Sequence, residues 1–120
     1  MPEKKVFIIM WDAETAQTHA EALEAAGWQV AVESGDVESA ISRIKADLPF
    51  HVVISLANDP AKSILAARAI RADNVLGEIR VFYVDIGSAK QDLLDNVRAA
   101  YMVNWGIMVE ELESSLRRAS

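Results

Sequence analysis

Hydrophobic residues follow two alternating rhythms along this chain: short unbroken apolar runs, and longer stretches in which they return every three or four positions. The run Val52 to Leu56 is rich in β-branched residues, shows no polar alternation and lies between Pro49 and Asp59-Pro60. Such a run predicts a strand covered on both faces, as in a parallel sheet. Ligands and chemistry in open α/β sheets sit beyond the carboxyl ends of such strands, so the residues from Ser55 to Asp59 bear on function.

The other segments fall into order around that strand. Lys4 to Met10 is a second apolar run. From Asp12 to Ala26 the spacing is helical, with Ala16, Ala20 and Leu23 on one face, Asp12 as cap and Gly27 where a left-handed ending is wanted. Trp28 to Val32 alternates like a half-buried edge strand. Asp36 caps a second helix that carries Val37, Ala40, Ile41, Ile44 and Leu48 inward and stops at Pro49. Asp59 and Pro60 open a third helix, to about Ala72, which buries Ile64, Ala67 and Ile70. Ile79 to Val84 predicts a fourth strand. Ser88 and Gln91 have the spacing of a capping box for a helix bearing Leu93, Leu94 and Val97. Tyr101 to Val103 predicts a short fifth strand, Gly106 breaks it, and Ile107, Val109, Leu112 and Leu116 line the last helix. The expectation is one α/β domain over residues 1–120, a (βα)5 three-layer sandwich. Its parallel sheet has the order 2-1-3-4-5, with right-handed crossovers and two helices on one face and three on the other.

Composition narrows the classes. The chain has 120 residues, 52% of them hydrophobic and 25% charged, the balance of a globular domain, and no segment approaches the length of a membrane span. Val6 to Met10 is too short for a signal-peptide core, so a cytoplasmic location is expected. Having no cysteine, the chain forms no disulfide and no thiolate metal site. Its net charge of -6 argues against nucleic acid as a partner of this domain.

The order of elements and several local cues resemble the receiver domains of two-component response regulators. The cues are Lys4-Lys5-Val6-Phe7-Ile8-Ile9-Met10, Gly27-Trp28-Gln29-Val30, Leu48-Pro49-Phe50-His51-Val52-Val53-Ile54 and Ala100-Tyr101-Met102-Val103. The resemblance implies a flavodoxin-like, CheY-like fold and a chemistry of five groups at the carboxyl edge of the sheet. An acid pair after the first strand holds Mg²⁺, an aspartate ending the third strand accepts the phosphoryl group, a hydroxyl ends the fourth strand and a lysine the fifth. A carboxylate attacks phosphorus only if a divalent cation and an ammonium offset the accumulating charge. Here Met10 and Trp11 occupy the acid-pair positions and Asp12 comes one residue late. Ser55 replaces the phosphoacceptor, Asp85 stands in the place of the hydroxyl, and Asn104-Trp105 replaces Lys-Pro.

The same residues are open to other chemistries. Asp12, Asp59 and Asp85 together would suit a cation, although helix caps and loop acids are the commoner fate of such residues. Ser55 lacks a Gly-x-Ser-x-Gly elbow, and neither His19 nor His51 has the sequence context of a base, so a buried structural serine is expected. Both histidines are expected at the surface or half-buried. No glycine-rich phosphate loop follows the first strand. Trp11 and Trp105 fall at the carboxyl edge, where they either fill the place of the family's charged pocket or serve as plain core aromatics.

The resulting expectation is a pseudo-receiver: a non-enzymatic signalling domain without cofactor or metal, acting through a protein partner or a fused output domain. A homodimer through the fourth helix, fifth strand and fifth helix is the specific form expected. Met102, Trp105, Ile107 and Met108 are its candidate contact residues, on the family's usual face. The alternatives are a sensor whose altered pocket takes a small ligand or cation, or responds to serine phosphorylation, and a flavodoxin-like domain of another function.

Overall fold

A computed structural model describes residues 3–119. Five parallel strands form one sheet in the order β2-β1-β3-β4-β5. They are β1 (Lys5–Ile9), β2 (Gln29–Glu33), β3 (His51–Ser55), β4 (Arg80–Val84) and β5 (Tyr101–Met102). The helices between and after them are α1 (Ala13–Ala25), α2 (Val37–Asp47), α3 (Pro60–Ala72), α4 (Lys90–Asn96) and α5 (Met108–Ala119). Single 3-10 turns at Gly87–Ala89 and Trp105–Ile107 precede α4 and α5. Among the described residues no helix is long and apolar enough to cross a membrane.

Two cores flank the sheet. Phe7, Ile9, Val52, Ile54, Val81 and Tyr83 meet α2, α3 and α4 on one side. Val6, Ile8, Val53, Phe82 and Val84 meet α1 and α5 on the other. This is the two-and-three division of helices expected from unbroken apolar runs, because alternate residues of a central strand face opposite layers. All of β3 is buried.

The three aspartate caps form as the sequence indicates. Asp12 accepts from the Glu14 amide, Asp36 from that of Ser39 and Asp59 from that of Lys62. Gly27 takes a left-handed φ of 94° at the end of α1.

Five expectations fail for local reasons. Leu48 does not line α2 but caps it in left-handed geometry at φ 48°, and its side chain is 57% exposed. The Ser88–Gln91 capping box is absent: Ser88 falls inside the 3-10 turn and Gln91 inside α4, which starts without a side-chain cap. That shift sets the phase of a seven-residue helix so that Leu93 is buried and Leu94 exposed. The second 3-10 turn does the converse to α5: Ile107 faces out, while Met108 lies 1% exposed one turn before buried Leu112. Met108 is therefore a core residue and no part of a contact surface. His51, expected at or near the surface, is 1% exposed beneath Phe82.

Candidate functional site

β3 and β4 end side by side, with Ser55 paired to Val84 and Asp85 following at once. Asp85 adopts a left-handed φ of 55°, a geometry that short polar side chains tolerate better than most. The Ser55 hydroxyl donates a 2.6 Å hydrogen bond to Asp85 Oδ2. Ser55 Oγ also accepts from the Ala57 amide at 3.2 Å, so this fully buried hydroxyl has both roles filled.

Trp105 adds a second donor to the same carboxylate oxygen, its Nε1 lying 3.2 Å from Asp85 Oδ2. The indole is held from the far side by His19 of α1, stacked at 3.8 Å with planes 7° apart. Burial lowers the pKa of His19 below its ordinary value, and the Asp85 charge pulls weakly the other way. Four elements are thus tied through Asp85 and Trp105. Trp105, one residue on from Asn104, thus gives a neutral N–H to the carboxylate that follows β4.

The remaining predicted residues do not join this network. Met10 is buried in the core under α1 and α5. Trp11 packs against the other core, donates Nε1–H to Ser63 Oγ at 2.9 Å and carries the Lys62 ammonium 4.1 Å above its ring. The two tryptophans therefore lie on opposite sides of the sheet and do not fill one pocket between them. Ser63, which sequence reasoning did not single out, also donates to the Ser55 carbonyl and so joins the amino end of α3 to the end of β3. Its sole signal was a serine four residues after the Asp59 cap.

Asp12 spends its oxygens on α1, accepting from the Glu14 amide at 3.2 Å and the Thr15 hydroxyl at 2.8 Å. The Thr15 hydroxyl, foremost, keeps that carboxyl below its ordinary pKa, against a smaller effect of burial. Asp59 caps α3, and Asn104 is exposed ahead of the second 3-10 turn. Asp12, Asp59 and Asp85 are not gathered: among the described residues no group of three or more His, Asp or Glu side chains is placed to hold a metal.

A nucleophilic serine needs a base within hydrogen-bond reach and a face open to substrate. Ser55 has a carboxylate partner only, and His19 reaches Trp105 instead of the hydroxyl. The arrangement is suited to holding the ends of three strands in fixed relation.

No protein-family model matches the chain, and no curated protein matches it. Solved structures do. The chain resembles the chemotaxis protein CheY4 of Vibrio cholerae with a TM-score of 0.77 at 13% identity, over 94% of this chain and 98% of that one. It resembles the receiver domain of the Francisella response regulator 1452 with a TM-score of 0.79 at 14% identity, over 98% and 100%. A sensor protein from Polaromonas sp. JS666 gives 0.80 at 14%, over 99% and 100%. The architecture is the flavodoxin-like fold of these CheY-like receiver structures, spanning nearly the whole chain.

Proposed function

We propose that this domain is a signalling module of receiver type that has given up phosphotransfer and works through protein contacts. The observation that carries the reading is the Ser55–Asp85 hydrogen bond of 2.6 Å, in which the phosphoacceptor position is a buried hydroxyl already satisfied by an acid. The nucleophile and the cation ligands are absent from the positions where the receiver pattern has them, and Asn104 stands where it has the ammonium. A phosphoryl group arriving there meets one carboxylate and no countercharge.

The contact surface is the face formed by α4, β5 and α5. Leu94, Tyr101 and Ile107 stand on it 43%, 48% and 44% exposed, half of the six large hydrophobic residues found exposed among those described. Met102 and Trp105 are half-buried beside them, and Met108 lies beneath. An apolar strip on a short edge strand suits a protein partner, a fused output domain or a second copy of the chain.

Incubation with acetyl phosphate and Mg²⁺, followed by intact-mass measurement, should give no adduct; stoichiometric phosphate on the chain overturns the reading. Sedimentation at several concentrations tests the surface in its homodimeric form. Ile107→Glu should abolish self-association with the fold intact, whereas Met108→Glu should unfold the domain. A wild-type chain that stays monomeric at high concentration retires the homodimer.

A further inference from the structure

At the amino end of the sheet, opposite to Ser55 and Asp85, the strands and α5 form an open concavity of about 250 Å³. His51 of β3, Arg80 and Phe82 of β4, Tyr101 of β5, and Ser115 and Arg118 of α5 line it. The rings of His51 and Phe82 lie 3.9 Å apart and those of Phe82 and Tyr101 5.1 Å apart, a continuous aromatic wall.

Two features of this concavity call for an occupant. Arg80 and Arg118 make no ion pair among the described residues, although the chain carries 18 acidic side chains against 12 basic ones. Arg80 lies 4.7 Å over the ring of Phe50, and Arg118 Nη1 donates to Ser114 Oγ at 3.0 Å. These contacts position both guanidiniums and neutralise neither. The second feature is a pair of buried polar groups. Ser115 is 4% exposed, and among the described residues its hydroxyl has no hydrogen-bond partner. His51 is 1% exposed, and its ring nitrogens have only a long 3.5 Å contact from Nδ1 to the Val52 carbonyl. Both of these residues line the concavity. Tyr101 contributes its ring alone, because its hydroxyl is committed to Glu111 at 3.2 Å.

We infer that this concavity binds a small molecule with an oxyanion head, phosphate or carboxylate, on a compact aromatic or apolar body. Arg80 and Arg118 grip the head, with the forked geometry that guanidinium offers to such oxygens. The Ser115 hydroxyl and a neutral His51 N–H supply further donors, and Phe82 and Tyr101 receive the body. The volume suits a head group and a single ring. An anion seated here also acts on His51. Burial first, then the charges of Arg80 and Arg118, hold that imidazole down to about 4, and an anion between the two guanidiniums offsets the latter. Its pKa should therefore rise on binding.

The test is a nuclear magnetic resonance titration of the whole chain with inorganic phosphate, phenyl phosphate and benzoate. Saturable shifts centred on His51, Arg80, Ser115 and Arg118 are expected, with phenyl phosphate binding more tightly than inorganic phosphate and the His51 imidazole pKa moving upward. Saturation by benzoate assigns a carboxylate head, and saturation by the phosphates alone a phosphate head. Arg80→Gln and Arg118→Gln should each weaken binding about tenfold. Both side chains are exposed, so an unchanged amide spectrum elsewhere will show that the fold is kept. Arg68→Gln on α3 should bind like wild type. Shifts that rise linearly without saturating, Arg80→Gln or Arg118→Gln titrating like wild type, or a His51 pKa that stays put would each overturn the proposal.

Discussion

His19 lies flat on Trp105, ring centroids 3.8 Å apart, and so places an imidazole from α1 against an indole that follows β5. Neither residue type is conspicuous at its position in the sequence. Together they form the outer wall of the Ser55–Asp85 network. An imidazolium stacked on an indole quenches its emission, so Trp105 fluorescence should fall on acidification. Burial of His19 sets the direction: the midpoint should lie below 6.5, the ordinary value for histidine. His19→Ala should abolish the transition and cost about 1 kcal/mol, the scale of a stacked aromatic pair. A midpoint above 6.5 in wild type, or an unchanged transition in the variant, would contradict the stack.

The Ser55–Asp85 pair should behave as a unit in a double-mutant cycle. Asp85→Ser takes the carboxylate acceptor from a buried hydroxyl and should destabilise by about 1–3 kcal/mol. Ser55→Asp sets two carboxylates within hydrogen-bond distance and should cost at least as much near pH 7. The exchange Ser55→Asp/Asp85→Ser restores one donor and one acceptor, and should recover more than half of the single-variant losses in urea unfolding. Strict additivity of the two changes would show that the bond contributes nothing.

His51 predicts the shape of the stability curve in acid. Its pKa is lowered to about 4 in the folded chain, against 6.5 as the reference, mainly by burial. Between these values the unfolded state binds more protons than the folded one, so stability rises with pH across this window and falls as pH drops through it. The full loss by pH 4 is about 3 kcal/mol, from about 1.4 kcal/mol per pKa unit. His51→Gln lacks the titration and should flatten the slope between about pH 4 and 6.5, whatever its effect on absolute stability. A wild-type curve already flat across this range would mean that His51 is more hydrated than its burial indicates.

Two backbone substitutions separate conformational strain from space. Ala99 is exposed and holds a left-handed φ of 52°, which glycine adopts freely. Ala99→Gly should therefore stabilise by about 0.5 kcal/mol, the relief of strain less the entropy that glycine adds to the unfolded chain. Gly27 has the opposite assignment. A Cβ there would meet nothing within 4 Å, yet its φ is 94°. Gly27→Ala should cost about 1 kcal/mol for dihedral reasons alone. If both changes proved neutral in thermal unfolding, the left-handed assignments would not hold.

Strand identity and sheet order were legible in the sequence because a fully buried parallel strand such as His51–Ser55 needs apolar residues on both faces, a pattern that no amphipathic helix shares. Helix starts at Asp12, Asp36 and Asp59 were legible because a capping carboxylate acts within three residues of its own position. The misplaced residues depend on phase. Leu94 and Met108 each follow a 3-10 turn, and one tightened turn rotates the next helix enough to exchange neighbours between inside and outside. At the site, the residue types at Met10, Trp11, Ser55, Asp85 and Asn104 could be read directly from the sequence. Their contacts could not: the Ser55–Asp85 bond spans 30 positions, Trp11–Ser63 spans 52, and no local spacing encodes either.

β5 is joined to the sheet by only two residue pairs, Phe82 with Tyr101 and Tyr83 with Met102. Central β1 and β3 are paired through four or five residues with each neighbour. Amide protons of β5 and the following turn should therefore exchange with solvent by a partial opening that leaves β1 and β3 closed. That one opening would part Trp105 from Asp85 at one end of the sheet and withdraw Tyr101 from Phe82 at the other. A ligand held between Arg80 and Arg118 against Tyr101 would slow exchange in β5, and with it the escape of the indole from the far end, about 16 Å away by the rise of five strand residues, about 3.3 Å each. Occupancy of the concavity would then be recorded in the lifetime of a closed edge, with no change in its average position.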